Sequence, residues 1–236
     1  MRRSDVNAII RDARRFIARH DFALPPFADW HPEDFAAVRA EIGGLIAARL
    51  GWDVTDFGSG AFRQTGLVLF TMRNGDAEGP GQRSYCEKVM VVRRGQTCPM
   101  HRHLRKTEDI INRGGAILAL DLFASGPDGA IEPMGSVRVE CDGRERRLGP
   151  GARLRLHPGE SVTLTPGIWH AFRGELGDVL VGEVSTVNDD LADNVFRDPV
   201  GRFPEIEEDE PPERILVGDY DRLLGPGRDA SGTISV

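Results

Sequence analysis

Sulfur is scarce in this 236-residue sequence, which has three cysteines, Cys86, Cys98 and Cys141, and no CxxC spacing. An odd, scattered set excludes a disulfide framework and a thiolate-ligated zinc site. It fits buried, reduced thiols in a cytosolic protein. A chain of this size buries about 70% of the surface it exposes when unfolded, so it needs no covalent staples. Long apolar runs are also missing, and none approaches the ~18 residues of a membrane span. The opening MRRSDVNAII has neither the apolar stretch nor the small-residue cleavage site of a secretory signal. The expectation is a cytoplasmic protein with no membrane partner. Positive charge is short as well: 30 Lys and Arg against 37 Asp and Glu give a net charge of −7. That balance, without a basic stripe, argues against nucleic acid. No glycine-rich phosphate loop is evident, which disfavours phosphorylated substrates, and no internal repeat of solenoid length occurs.

What is present falls into three stretches. Residues 1–60 read as helical. Val6, Ile9, Ile10, Ala13 and Ile17 recur at helical spacing behind Ser4 as a cap. A second helix opens on Pro32, Glu33 and Asp34, carries Phe35, Val38, Ile42, Leu45 and Ile46 on one face, and stops at Gly51. Residues 61–200 change period. GLVLFTMR, YCEKVMVVRR, AILALDLFA, GSVRVEC, ARLRLH, SVTLTP and DVLVGEVSTV read as strands separated by Gly, Pro or Asp. Helices followed by seven or more strands, with no βαβ rhythm, predict a mainly β antiparallel sandwich or barrel with N-terminal helices packed on it. Residues 201–236 carry the acidic RFPEIEEDEPPERI and the glycine-rich LLGPGRDASGTISV. They read as an irregular, partly solvated extension. The alternative is a segment that crosses the barrel mouth and lends it a carboxylate.

The informative stretch is GQTCPMHRHLRKTEDIINRGG, from Gly95 to Gly115. His101 and His103 are two apart, so on a strand both project from one face. Glu108 follows after room for a turn and a second antiparallel strand, so the three side chains would converge from adjacent strands. His170, in SVTLTPGIWHAFRG, supplies a fourth ligand from far along the chain. Such a set suits a divalent manganese, iron, nickel, cobalt or zinc ion and leaves two cis positions open on an octahedral ion. His20, His31 and His157 read as structural or loop residues. Asp109 should point away from the metal, because neighbouring strand residues alternate faces.

These strings resemble the two motifs of the cupin superfamily. Gly95 to Gly115 matches the first, and Gly159 to His170 resembles the second. The second departs from the pattern in placing Gly167 directly after Pro166 and in lacking an asparagine beyond His170. The resemblance implies a double-stranded β-helix, or jelly-roll, barrel. That fold hosts many chemistries and fixes none of them.

More specific strings narrow the field. EKVMVVRRGQTCPMHRH, KTEDIINRGG, EVSTVNDDLADNVF and GRFPEIEEDE, spread from Tyr85 to Pro212, are together similar to the D-lyxose isomerase family. The resemblance implies an aldose–ketose isomerase converting D-lyxose to D-xylulose, often with D-mannose to D-fructose, and dependent on manganese or a similar ion. Isomerisation would pass through an enediolate, with a carboxylate moving the carbon-bound proton. Candidate bases are Glu183, in an otherwise apolar strand where a carboxylate is costly to bury unpaired; Glu205, raised by the matching string; and Glu108, if it left the metal. Lys88, in phase with Met90 and Val92, could stabilise the sugar oxyanion. Lys106 shares the face of Glu108 if the pairing is regular. Arg113 and Asp190 are candidates for sugar hydroxyls. A homodimer is expected, with the apolar faces of the N-terminal helices covering a neighbour's sheet. Two rival readings use the same constellation: a cupin dioxygenase with iron, and a non-catalytic sugar-binding cupin.

Overall fold

Strand residues 67–72, LVLFTM, are buried without alternation, the pattern of a strand covered on both faces. In the computed structural model, which describes residues 1–76, 83–190, 192–201 and 204–225, the two covers are different. Leu67 and Leu69 point into a core between two β-layers, with Met90, Ile110, Leu118, Leu120, Leu154 and Val181. Val68 and Phe70 point outward onto helix α1 (Arg3–Ala18), with Val6, Ile10, Phe16, Ile17 and Trp52. The glycine-rich end beyond residue 225 lies outside the described residues.

The twelve strands among the described residues are β1 (Gly51–Thr55), β2 (Leu67–Asp76), β3 (Arg83–Val92), β4 (Thr97–His103), β5 (Glu108–Ser125), β6 (Ile131–Glu132), β7 (Val137–Cys141), β8 (Arg144–Leu148), β9 (Arg153–Leu156), β10 (Ser161–Leu164), β11 (Trp169–Thr186) and β12 (Asn194–Phe196). Every named strand pairing is antiparallel. Strands β5 and β11 are the long pair that serves both layers. The N-terminal half of β5 and the C-terminal half of β11 join the order β1-β2-β3-β11-β5-β10-β7-β8. Their other halves pair with β9 and β4, and β12 flanks β4. This is the jelly-roll barrel of the cupin type, mainly β, with helices on its outside.

A straight ladder would separate Glu108 from Leu122, the register partner of His170, by about 45 Å at ~3.3 Å per residue. The Glu108 and His170 side chains instead approach to 3.1 Å. The ladder therefore folds back on itself, and strands that switch layers do so through bulges or bends. The bend lies at Gly114 and Gly115, whose φ values are +154° and +94°, opposite a register shift between Glu175 and Val179. A Cβ on Gly115 would stand 2.4 Å from the Asp178 carbonyl oxygen. Buried Asn112 satisfies the backbone groups that the bend releases: its amide donates to the Ala116 and Leu156 carbonyls, and its oxygen accepts from Gly114 N–H.

The helical segment differs from its sequence reading in three ways. Ser4 does not cap α1 with its own side chain. The helix starts at Arg3, and the Ser4 N–H and hydroxyl both donate to the Asp209 carboxylate, at 2.9 and 2.6 Å. The expected second helix is two short ones, α2 (Pro32–Ala37) and α3 (Gly43–Ala47), broken at Val38. Gly51 opens β1 instead of ending a helix. The segment from Glu207 to Glu213 is irregular, and residues 207–211 are exposed. It runs along α1, with Arg3 donating to Glu208, Asn7 to Glu210, and Arg11 paired with Glu213. Beyond it, Ile215, Val217 and Tyr220 pack on Phe35, Ile42 and Ile46. The apolar face of α1 covers its own sheet, so it is not available to a neighbour's.

Candidate metal centre

The strand period does what the HxH spacing demanded. His101 and His103 project from β4 into the space between the layers, and His170 stands beside them because it is the register partner of His101. The three imidazoles are buried and present ligand atoms within 4.8 Å of one another. Glu108 reaches them from the far side. The sequence expected adjacent strands, but β4 and β5 do not pair; both pair with β11, at opposite ends of its bend. The carboxylate thus faces the imidazoles across the barrel.

Glu108 Oε1 lies 3.3 Å from His103 Nε2 and 3.1 Å from His170 Nε2. None of these three buried atoms has a hydrogen-bond partner. The orientation of two rings explains why. His101 Nδ1 meets the Pro99 carbonyl at 2.8 Å, and His170 Nδ1 meets the Ile168 carbonyl at 3.0 Å. A carbonyl only accepts, so Nδ1 is the protonated nitrogen in both, and in the neutral ring Nε2 offers a lone pair. Burial and the other imidazoles push the His101 pKa well down, which keeps that ring neutral. Burial raises the Glu108 carboxyl, but Lys106 and His103 outweigh it and hold it well below the usual range. Converging lone pairs around an ionised carboxylate, orphaned in a buried site, are the donor set that a divalent cation satisfies.

Beside this donor set lies a second charged cluster. Lys106 Nζ stands 2.8 Å from Glu108 and 2.9 Å from Glu183, and Lys88 Nζ lies 3.4 Å from Glu183. All four groups are at most 5% exposed. Burial raises Glu183, yet Lys106 and Lys88 pull it below its ordinary value. Burial lowers Lys88, and Glu183 and Asp190 bring it back above. Lys106 is likewise held above its ordinary value by Glu108 and Glu183. The cluster is ionised throughout, with one carboxylate between two ammonium groups.

The cavity holding both clusters has an empty volume of about 510 Å³, including space open to solvent. Phe57, Leu67, Leu69, Met90, Phe172 and Phe196 give it apolar walls. Of the residues named from sequence, Lys88, His101, His103, Lys106, Glu108, Glu183 and Asp190 line it, and His170 adjoins it through Glu108. Two are elsewhere. Glu205 is exposed, with its backbone carbonyl bound to the N-terminal amine, because its segment runs along α1 and not across the mouth. Arg113 is exposed on the outer face of β5, where its side chain lies over Gly182. Asp109 accepts from the Thr163 hydroxyl, away from the ligands. Sequence reasoning missed Asn188, which accepts from Lys88 at 2.6 Å, and the aromatic walls. Asn188 was visible in the NDD string, but Phe57 and Phe196 carried no motif.

A family model described as D-lyxose isomerase matches residues 1–220. A D-lyxose/D-mannose isomerase of Serratia proteamaculans is 48% identical over 229 residues, covering 95% of this chain and all of that one. A protein of the same name from Escherichia coli is 45% identical over 224 residues, covering 93% of this chain and 98% of that one. Among solved structures, an L-ribose isomerase of an Acinetobacter species in complex with L-ribose superposes with a TM-score of 0.58 at 18% identity, covering 88% of this chain and 98% of that one. At that identity it speaks for the fold alone. The sequence matches span nearly the whole chain, and with them this protein belongs to the D-lyxose isomerase family.

Proposed function

We propose that this sugar isomerase interconverts D-lyxose and D-xylulose, and D-mannose and D-fructose, with one divalent ion, manganese foremost, held by His101, His103, Glu108 and His170. Cobalt, iron, nickel or zinc would suit the same donors. The names of the Serratia and Escherichia relatives, both covered almost end to end, support the substrates. The observation that carries the reading is the position of Glu183, an ionised carboxylate between Lys88 and Lys106 in the cavity of the imidazoles.

When bound, the ion would polarise the sugar carbonyl and offset negative charge developing on its oxygens. Glu183 acts as the base. It removes the proton from C2 of the open-chain aldose; the C–H electrons form the C1–C2 double bond of the enediolate and the C1 carbonyl pair passes to O1. The O2 hydroxyl proton then moves to O1, the O2 electrons form the C2 carbonyl, and the double-bond pair takes the same proton or its solvent replacement at C1. Lys106 and Lys88 keep Glu183 ionised in a dry site and place positive charge near the developing oxyanion. Asn188 and Asp190 hold Lys88 from the loop after β11. Phe57, Phe172 and Phe196 exclude bulk water from the reacting carbons.

The same reading makes the protein a cytoplasmic homodimer. The three cysteines are buried and free, which fits a reducing compartment, and burial pushes the Cys86 thiol up to about 11. No helix among the described residues is long and apolar enough to cross a membrane. Exposed Tyr85 and Val184 share the outer face of the β3–β11 pair and leave apolar surface for a second copy.

Conversion of D-lyxose in deuterated water tests substrate and chemistry together. The expected product is D-xylulose carrying solvent deuterium at C1. Absence of any ketose contradicts the substrate, and unlabelled product after extended back-and-forth turnover contradicts proton transfer in favour of a hydride shift.

A further inference from the structure

Two of the three imidazoles are held by their own strands, through the carbonyl two residues earlier. His103 is the exception. Its Nδ1 is buried with no hydrogen-bond partner, and the group it faces is a carboxylate, Asp193 Oδ2, 3.6 Å away. That separation is too long for a hydrogen bond. It is close enough for the carboxylate charge to act on the dipole of a neutral ring between two buried groups.

Asp193 is held firmly for this task. It is 3% exposed. Its Oδ1 accepts the Arg105 N–H at 2.7 Å, its Oδ2 accepts the Lys106 N–H at 3.2 Å, and its carbonyl accepts the Leu104 N–H at 3.0 Å. Its own N–H donates to Asp189. These bonds fix the carboxylate between the β4–β5 turn and the β11–β12 loop, and Asn194 is the backbone partner of His103 itself.

We infer that Asp193 is a positioning residue that selects the Nδ1-protonated tautomer of His103 and so turns the Nε2 lone pair toward Glu108. A carboxylate beside Nδ1 favours a proton there and disfavours a bare lone pair, since two facing lone pairs repel. With Nδ1 protonated, Nε2 is left as the donor atom of a neutral ring, matching His101 and His170. Because the same loop brings Asn188 and Asp190 to Lys88, it ties the orientation of a ligand to the side of the cavity where Glu183 lies.

This inference rests on the metal reading for its consequence but not for its geometry, and the experiment separates the two. Metal-free wild-type protein labelled with ¹⁵N is examined for the His103 tautomer by long-range proton–nitrogen correlation. Titration calorimetry with Mn²⁺ and the visible spectrum with Co²⁺ follow, on wild type and Asp193→Asn. The expected results are Nδ1–H at His103, affinity about 10–100-fold weaker in the variant, an altered Co²⁺ spectrum, and an unchanged melting temperature of the metal-free variant. A wild-type Nε2–H tautomer overturns the inference, as does a folded variant with wild-type affinity and spectrum. If the variant does not fold, the wild-type tautomer decides alone. Wild type that binds neither ion refutes the metal reading instead.

Discussion

Glu183 lies between two ammonium groups, and that arrangement decides its charge where burial alone would neutralise it. A lone carboxyl at 5% exposure would be pushed up toward protonation. Lys106 at 2.9 Å and Lys88 at 3.4 Å reverse the direction. The group is therefore a base at neutral pH, and its strength as a base would rise if a bound sugar drew the lysines toward its oxygens. Glu183→Gln keeps the shape and the Lys106 contact but removes the basic lone pair. Turnover should fall by about 10²–10⁴-fold, the usual worth of a positioned base, while Mn²⁺ affinity measured by calorimetry stays as in wild type. Turnover retained to within about tenfold would move the base role to another group. The sequence exposed Glu183 through a local cost, a charge in an apolar strand. It offered no such cost for Glu205, whose acidic neighbours looked the same whether they lined a cavity or a helix.

At the scale of elements, the segment Glu207–Glu213 is a strap that completes α1. Arg3 is fully buried, and its guanidinium reaches Glu208 at 2.7 Å and Asp219 at 3.0 Å. Asp209 accepts from Ser4 at the positive end of the helix, where a carboxylate is favoured. The Arg3 hydrogen bond holds Glu208 below its ordinary pKa, and the Ser4 bonds do the same for Asp209. A depressed carboxyl contributes stability that is complete above its unfolded value and is lost as pH falls through the folded one. Hydrogen exchange, corrected for intrinsic rates, should show the strap and the first turn of α1 protected at neutral pH and losing protection below about pH 4. Equal protection on both sides of that range would contradict the account. Arg3→Met should cost about 3 kcal/mol in denaturant unfolding at neutral pH, since it strands partly buried carboxylates. Elements of this kind were half legible. Apolar spacing found α1 and most strands, because burial on one face imposes a period. It could not see the break at Val38, where the face continues through a turn, nor the capping of Ser4 by a residue 205 positions away.

At the scale of the whole molecule, the bent β5–β11 ladder makes the site. Its bend returns Glu108 to His170 and encloses the imidazoles, the two lysines and Glu183 between layers. The convergence of His101, His103, Glu108 and His170 was readable because strand period and motif spacing are local properties. Which layer each came from was not, since that depends on Gly114, Gly115 and the Glu175–Val179 bulge folding one ladder into two. The aromatic walls and Asp193 escaped because Phe57 comes from the loop after β1, Asp193 from the loop between β11 and β12, and Phe196 from β12, at spacings that repeat no motif.

The central claim is that sugar isomerisation here runs through an ion at His101, His103, Glu108 and His170. Its most direct test is D-lyxose turnover under anaerobic conditions before chelation, after metal removal verified by elemental analysis, and after Mn²⁺ is restored. The account predicts D-xylulose in the first state, none in the second and recovery in the third. Unchanged turnover by verified metal-free protein would contradict it.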